Sequence, residues 1–183
     1  MIKLEISQLD KEPDFNGFTC GVDSIDRKVK RSYFPHVLRQ AKTFKIELGE
    51  RKNIAGYYQI SICTIKTDNS NIEFGDYGDY GEGEPEYTAM KMEFLAIDER
   101  LQQKGIGTEV LRSAVREAKE LGKKWPIRVF LIDALVGKTE WYKNRGFQLF
   151  SEKQEMEYGT VRMFFDLMDA DEKEKVAAYT EKI

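Results

Sequence analysis

The chain has 183 residues, 41% of them hydrophobic and 33% charged, which suits one well-packed α/β domain over residues 1–183 and is short for two. A net charge of -3 gives no general attraction to nucleic acid, so any polyanion contact would need a local basic patch. Two cysteines, Cys20 and Cys63, make no disulfide framework, and the single histidine, His36, leaves no multi-histidine metal site, so no metal is expected.

In chain order, Met1 to Ser7 alternates as a first strand and lacks the apolar core of a signal peptide. Apolar runs such as Val129 to Ile132 are too short to span a bilayer, so a cytoplasmic protein without membrane contact is expected. Asp10 to Cys20 is a loop broken by Pro13, Asn16 and Gly17. Asp23 or Ser24 is the expected cap of a helix through Ile25, Val29 and Lys30, and Pro35 marks a second, separate helix over Ser32 to Ala41. Thr43 to Leu48 and Ile54 to Lys66 read as strands joined by a turn over Gly49 to Asn53. Cys63 falls in the second of these as a small buried residue.

Gly75 to Pro85 is glycine-rich and acidic and reads as a solvated hairpin loop. Tyr87 to Ile97 is a strand with Met90, Met92, Phe94 and Ala96 on one face. A turn at Asp98 to Lys104 leads into a helix from Gly105 or Ile106 to Leu121. Its apolar stripe is Val110, Leu111, Ala114, Val115, Ala118 and Leu121. Pro126 to Ile132 is a buried strand, and Lys138 to Arg145 a short helix stopped by Gly146. Phe147 to Phe150 and Arg162 to Leu167 form a closing hairpin, followed by a polar helix over Asp169 to Lys182. The order β-α-α-β-β-β-α-β-α-β-β describes a mixed α/β sheet under one core.

The sharpest chemical signal is the strand, two-glycine turn and periodic helix around Gln102-Gln103-Lys104-Gly105-Ile106-Gly107. A helix amino terminus offers unpaired N–H groups and the positive end of the helix dipole, which together suit a phosphate. Gly105 and Gly107 carry no Cβ, so backbone can press against an anion, and Lys104 adds charge. A dinucleotide fingerprint would need a glycine where the chain has Val110. A P-loop ending at Gly137-Lys138-Thr139 would need one at Ile132.

With Gln102-x-x-Gly105-x-Gly107, the strand end Leu95-Ala96-Ile97-Asp98, and Glu140-Trp141-Tyr142-Lys143-Asn144-Arg145-Gly146-Phe147 downstream, the chain resembles the GNAT superfamily of acetyltransferases. The likeness is clearest over residues 87 to 150. It implies a mixed, mostly antiparallel central sheet of six to seven strands flanked by helices, and acetyl-CoA as co-substrate. It also implies that Gln102, Gln103, Lys104, Gly105, Ile106, Gly107 and Thr108 hold the donor's pyrophosphate. Leu95, Ala96 and Ile97 would bind the pantetheine and polarise the thioester carbonyl. Tyr142 would protonate the departing thiolate, since a phenol of pKa about 10 is protonated at neutral pH. Glu93, three residues before Ala96, is the candidate base, with a solvated strand face shared with Lys91 and Leu95 as the alternative. Where many members carry Asn or Asp seven residues before the tyrosine, this chain has Leu135, so that contact to the donor arm is not implied.

Residues 14 to 60 also resemble the toxin-like branch of the superfamily, through Phe18 to Asp26 and Gly56 to Ser61. That branch acetylates charged tRNA. A basic face of Arg27, Lys28, Lys30, Arg31, Arg39 and Lys42 would serve it. Asp23, Asp26 and the acidic balance dilute that field, so small-molecule or peptide amines rank ahead of tRNA as acceptors. A silent acyl-CoA-binding module and a longer acyl donor stay open, and families of this kind often form homodimers.

Overall fold

The structure is a computed structural model that describes residues 4–15, 17–49, 53–66, 86–151 and 159–180. The acidic loop at Gly75 to Pro85 lies outside the described residues, as do Met1 to Lys3 and the turn residues Glu50 to Lys52.

The elements are β1 (Leu4–Gln8), α1 (Asp23–Arg31), α2 (Tyr33–Val37), β2 (Ala41–Leu48), β3 (Asn53–Lys66), β4 (Glu86–Ile97), α3 (Ile106–Gly122), β5 (Ile127–Leu135), α4 (Thr139–Lys143), β6 (Gln148–Leu149), β7 (Thr160–Asp166) and α5 (Ala170–Thr180). Seven strands form one sheet in the order β1-β2-β3-β4-β5-β7-β6, a mixed α/β arrangement that is mostly antiparallel. By compactness the chain divides into two units, Met1–Ile62 with Lys91–Ala114 and Cys63–Met90 with Val115–Ile183.

In the first unit, β1 and β3 pair antiparallel with β2, and the β2–β3 register shifts between Ile46 and Glu47. Leu9, Cys20, Val29, Tyr57, Phe94 and Ala96 form its core, and Phe15, Phe18, Val22 and Ile25 pack onto it. Phe15 and Phe18 both meet the buried Tyr57 edge-on, at 5.2 and 5.1 Å between ring centroids. These contacts fold the loop before α1 back over the sheet. The second unit is built on β5 and β7, paired antiparallel from Val129↔Asp166 to Leu135↔Thr160. Ile65, Ala89, Val129, Leu131 and Phe164 form a core cluster there, and Phe147 is buried edge-on against Phe130.

The face of β4 expected to be buried is buried: Met90, Met92, Phe94 and Ala96 are each at most 6% exposed. Four corrections are local. The cap of α1 is Val22, not Asp23 or Ser24, and its side chain makes no cap bond. Asp26 does the polar work from inside the helix, accepting from Cys20 N at 2.8 Å and Thr19 Oγ1 at 2.6 Å. A carboxylate one turn into a helix reaches back to the preceding loop as a capping-box acid does. The second helix ends at Val37, four residues short of expectation, and Arg39 then takes a left-handed φ of 59°. His36 holds this reversal in place, its Nδ1 accepting from Thr43 N at 3.0 Å. The strand after Pro126 runs on to Leu135, because its antiparallel ladder with β7 continues that far. Cys63 is half-buried, and both cysteines are free thiols.

Candidate active site

The turn from Asp98 to Gly107 is tied down from behind by hydrogen bonds. Buried Asp98 accepts from Arg100 N at 3.0 Å, from Arg100 Nε at 2.8 Å and from Arg100 Nη2 at 2.7 Å. This two-pronged pair caps the short 3-10 turn Glu99–Leu101 and holds the Asp98 carboxyl below its ordinary value. Asp98 N donates to Ala55 O and Glu99 N to Thr19 O, each at 2.9 Å. Gln102 Nε2 donates to Ile97 O at 3.0 Å and to Cys20 O at 2.8 Å. The first residue of the motif therefore spends its side-chain donor on two carbonyls, joining the end of β4 to the loop before α1.

The chain then reverses through left-handed residues, Gln103 at φ 60° and Gly105 at φ 82°. Only glycine takes that conformation without a steric penalty, and the space a Gly105 Cβ would enter is open to 4 Å. The first α3 bond in this region runs from Glu109 N to Gly105 O, so the amides from Gln103 to Gly107 precede the intrahelical ladder. Lys104 Nζ lies 3.2 Å from Arg100 O, curled over the turn. An open front, glycine backbone and leading amides fit a pyrophosphate, and these residues would hold the acetyl-CoA end that carries it.

The other donor-side residues, Leu95, Ala96 and Ile97, close β4 directly behind this turn. β3 approaches them so closely that a Cβ on Gly56 would sit 2.2 Å from Ala96 O, which is backbone and cannot yield. Gly56 is the reason the donor strand can lie where it does.

Tyr142 belongs to the second unit and sits in α4. Its ring meets Trp141 at 4.7 Å and Phe147 at 5.6 Å, both edge-on. Its carbonyl accepts from Arg145 N and Phe147 N, closing the helix through Gly146 at φ 85°. Arg145 lies 3.9 Å over the Trp141 ring. Burial pushes the Tyr142 phenol up to about 12, against a smaller opposing pull from Arg145. The Tyr142 phenol therefore keeps its proton at neutral pH. Leu135, where the donor-arm residue is missing, ends β5.

The first unit also carries an open groove of about 490 Å³. One wall is Ser24, Arg27, Lys28 and Arg31, a spacing of i, i+3, i+4 and i+7 that puts all four on one face of α1. The opposite face of the helix, Ile25 and Val29, points into the core. Gln59, Ser61 and Glu93 line the groove from β3 and β4. Glu93 Oε1 accepts from Ser61 Oγ at 2.5 Å, and its Oε2 lies 3.3 Å from Lys91 Nζ. Lys28 Nζ reaches Glu93 O at 3.3 Å.

Of the six cations expected on a basic face, Arg27, Lys28 and Arg31 line this groove, whereas Lys30, Arg39 and Lys42 do not. Glu93 is a groove residue rather than a featureless strand position. Gln59 and Ser61 went unassigned in the sequence, where the period-2 spacing of two polar residues in an apolar strand was the available signal. Burial and Asp26 push the Cys20 thiol up to about 12, so it is held as the thiol rather than the thiolate at neutral pH. Among the described residues, no cluster of His, Cys, Asp or Glu is arranged to hold a metal, and no helix is long and apolar enough to cross a membrane.

A helix amino terminus opened by glycine and bolted to the end of a sheet strand can hold a phosphate-bearing ligand. The chain matches the model of the acetyltransferase (GNAT) family over residues 22–149, well over half its length, and belongs to that family of acyltransferases. Solved structures share the fold. AtaT complexed with acetyl-methionyl-tRNAfMet aligns with a TM-score of 0.72 and 18% identity, over 90% of this chain and 95% of that one. A tyrosine-to-phenylalanine variant of KacT gives 0.73 and 16%, over 96% and 98%. A similar variant of the AtaT toxin, bound to acetyl-CoA and the C-terminus of the antitoxin AtaR, gives 0.70 and 17%, over 97% of each.

Proposed function

We propose that this chain transfers the acetyl group of acetyl-CoA to the amino group of an aminoacyl-tRNA. The observation that carries the acceptor assignment is the groove, where Arg27, Lys28 and Arg31 concentrate positive charge on a chain whose net charge is -3. Phosphates near an amine are the substrate feature such a wall attracts. The AtaT structure bound to an acetylated aminoacyl-tRNA lends the same reading support, and an antitoxin-like partner is part of it.

In this reading the amides of Gln103 to Thr108 bind the donor's pyrophosphate, and those of Leu95 to Ile97 stabilise the oxyanion that develops on the thioester carbonyl. Glu93, directly or through one water, takes a proton from the acceptor ammonium. The amine nitrogen then attacks the carbonyl carbon and the C–N bond forms; the tetrahedral adduct gives its extra N–H proton to solvent as it collapses and the C–S bond breaks. Tyr142, protonated at neutral pH even at the ordinary phenol pKa, is the donor to the departing thiolate that the family resemblance implies. The acidic overall balance favours a second reading, a small-molecule or peptide amine.

The test measures thiol release from acetyl-CoA with aminoacyl-tRNA, free amino acids, polyamines and peptides side by side. Preference for aminoacyl-tRNA by at least about tenfold in kcat/KM is the expected result, and preference for a free amine would overturn the acceptor assignment. In the same assay, Tyr142→Phe is expected to lower kcat about 100-fold, within the usual range for a lost general acid. An unchanged kcat in this variant would remove Tyr142 from the mechanism.

A further inference from the structure

The floor of the groove holds a polar side chain whose orientation is fixed and whose second polar atom is unspent. Gln59 is only 6% exposed, yet it lines the groove. Its Nε2 donates to Ser32 O at 3.0 Å and to Thr43 Oγ1 at 2.8 Å, using both amide protons. Thr43 Oγ1 in turn donates to Ser32 O at 3.0 Å, and Ser32 Oγ to Val29 O at 2.7 Å. A carbonyl can only accept, so turning the Gln59 amide over would set Oε1 against Ser32 O, acceptor against acceptor. The network therefore fixes which end of the amide points away from Ser32 and Thr43. That end is Oε1, which has no hydrogen-bond partner among the described residues and is not a sealed-in orphan. The two Nε2 bonds give the amide nitrogen an internal role, and Oε1 is the polar atom of the side chain that no internal bond uses.

We propose that Gln59 is a specificity-determining residue of the acceptor site, its Oε1 accepting a hydrogen bond from an N–H of the amine to be acetylated. Ser61, two residues along β3, holds the Glu93 carboxylate, so the groove is lined by two fixed acceptors. A primary amine has N–H bonds for both: Gln59 orients one, and Glu93 receives the other proton. Arg27 and Arg31 on the α1 wall serve the anionic part of the same molecule. The groove thus selects a bipolar acceptor, with its amine at the floor and its phosphates at the wall. This inference rests on the transferase reading above and adds the residue that reads the amine.

The experiment uses the full chain in three forms: the natural protein, Gln59→Met and Thr43→Val. Gln59→Met is expected to raise the acceptor KM about tenfold, the usual scale for one lost hydrogen bond to a group that carries charge. The acetyl-CoA dissociation constant, measured by calorimetry, should stay within about twofold, since the donor's binding residues are untouched. Thr43→Val keeps Oε1 but releases one of the two bonds that orient the amide, and is expected to raise the acceptor KM by a smaller factor. It carries the kinetic test if Gln59→Met does not fold. The Gln59 side-chain amide protons, followed by NMR in the natural protein, should exchange slowly with solvent, and free exchange would overturn the proposal without any assay. An acceptor KM unchanged in Gln59→Met would overturn it as well. If the natural protein ignores aminoacyl-tRNA but acetylates a free amine, the tRNA assignment fails. Gln59 then stands or falls on the KM for that amine.

Discussion

The proposed donor turn and the proposed acceptor groove sit in the same unit but are assembled in opposite ways. The residues that shape the turn are local: Asp98, Arg100, Gln102 and Gly105 lie within eight positions of one another, and the Asp98–Arg100 pair closes inside that stretch, with outside ties to Thr19, Cys20 and Ala55. The groove draws on α1, α2, β2, β3 and β4, so its lining spans residues 24 to 93. Local construction makes the turn a recognisable word in the sequence. Long-range construction leaves the groove to be set by whichever residues the packing brings together, which suits a donor shared by many enzymes and an acceptor that differs among them.

Three variants probe that division. The largest effect is expected from Gly56→Val, which drives a branched side chain into the Ala96 carbonyl. Overpacking against backbone should cost about 3 kcal/mol or more. Urea denaturation should show the loss, with acetyl-CoA affinity falling alongside it. A protein of natural stability would mean that β3 and the donor strand are not in close contact.

Next, reversing the wall with Arg27→Glu and Arg31→Glu together should leave acetyl-CoA binding unchanged while raising the acceptor KM more than about tenfold for a phosphate-bearing acceptor. It should also flatten the salt dependence by roughly one unit of slope for each phosphate that is no longer neutralised. Equal damage to donor and acceptor binding would show that the two sites are not separable.

The smallest effect is expected from Asp98→Asn, which weakens the pair with Arg100. Because Arg100 is largely exposed, the cost at neutral pH should be smaller than that of the other two variants. The Asp98 pKa is depressed on folding, so its contribution is complete above the ordinary value of 3.8 and is lost as pH falls through the lower folded value. The stability gap between variant and natural protein, followed by urea denaturation, should therefore shrink below about pH 4. A gap independent of pH would mean that the charge on Asp98 is not what stabilises the turn.

His36 and Gln59 show why some of the molecule was not legible beforehand. As a sequence letter, His36 offered only the exclusion of metal clusters. In the fold it accepts from Thr43 N, and burial and nearby Lys42 lower its pKa, so it serves as a neutral pin for the turn into β2. Gln59 sat in plain view between Tyr58 and Ile60, yet nothing local distinguishes a glutamine facing solvent from one clamped at a groove floor. The same limit applied to the cap of α1. An acid at Asp23 fits the usual position, but Asp26 is the one whose oxygens meet the incoming loop.

The sequence by itself determined the order of strands and helices, the buried face of β4, the glycine turn before α3 and the family. Each of these is written in short-range periodicity or in residues a few positions apart. Tertiary structure alone decided which three of six cations share a wall, that Gly56 admits the donor strand and that Gln59 presents an unspent acceptor. Those facts depend on contacts between residues tens of positions apart, and local patterning does not encode which side chains the sheet brings face to face.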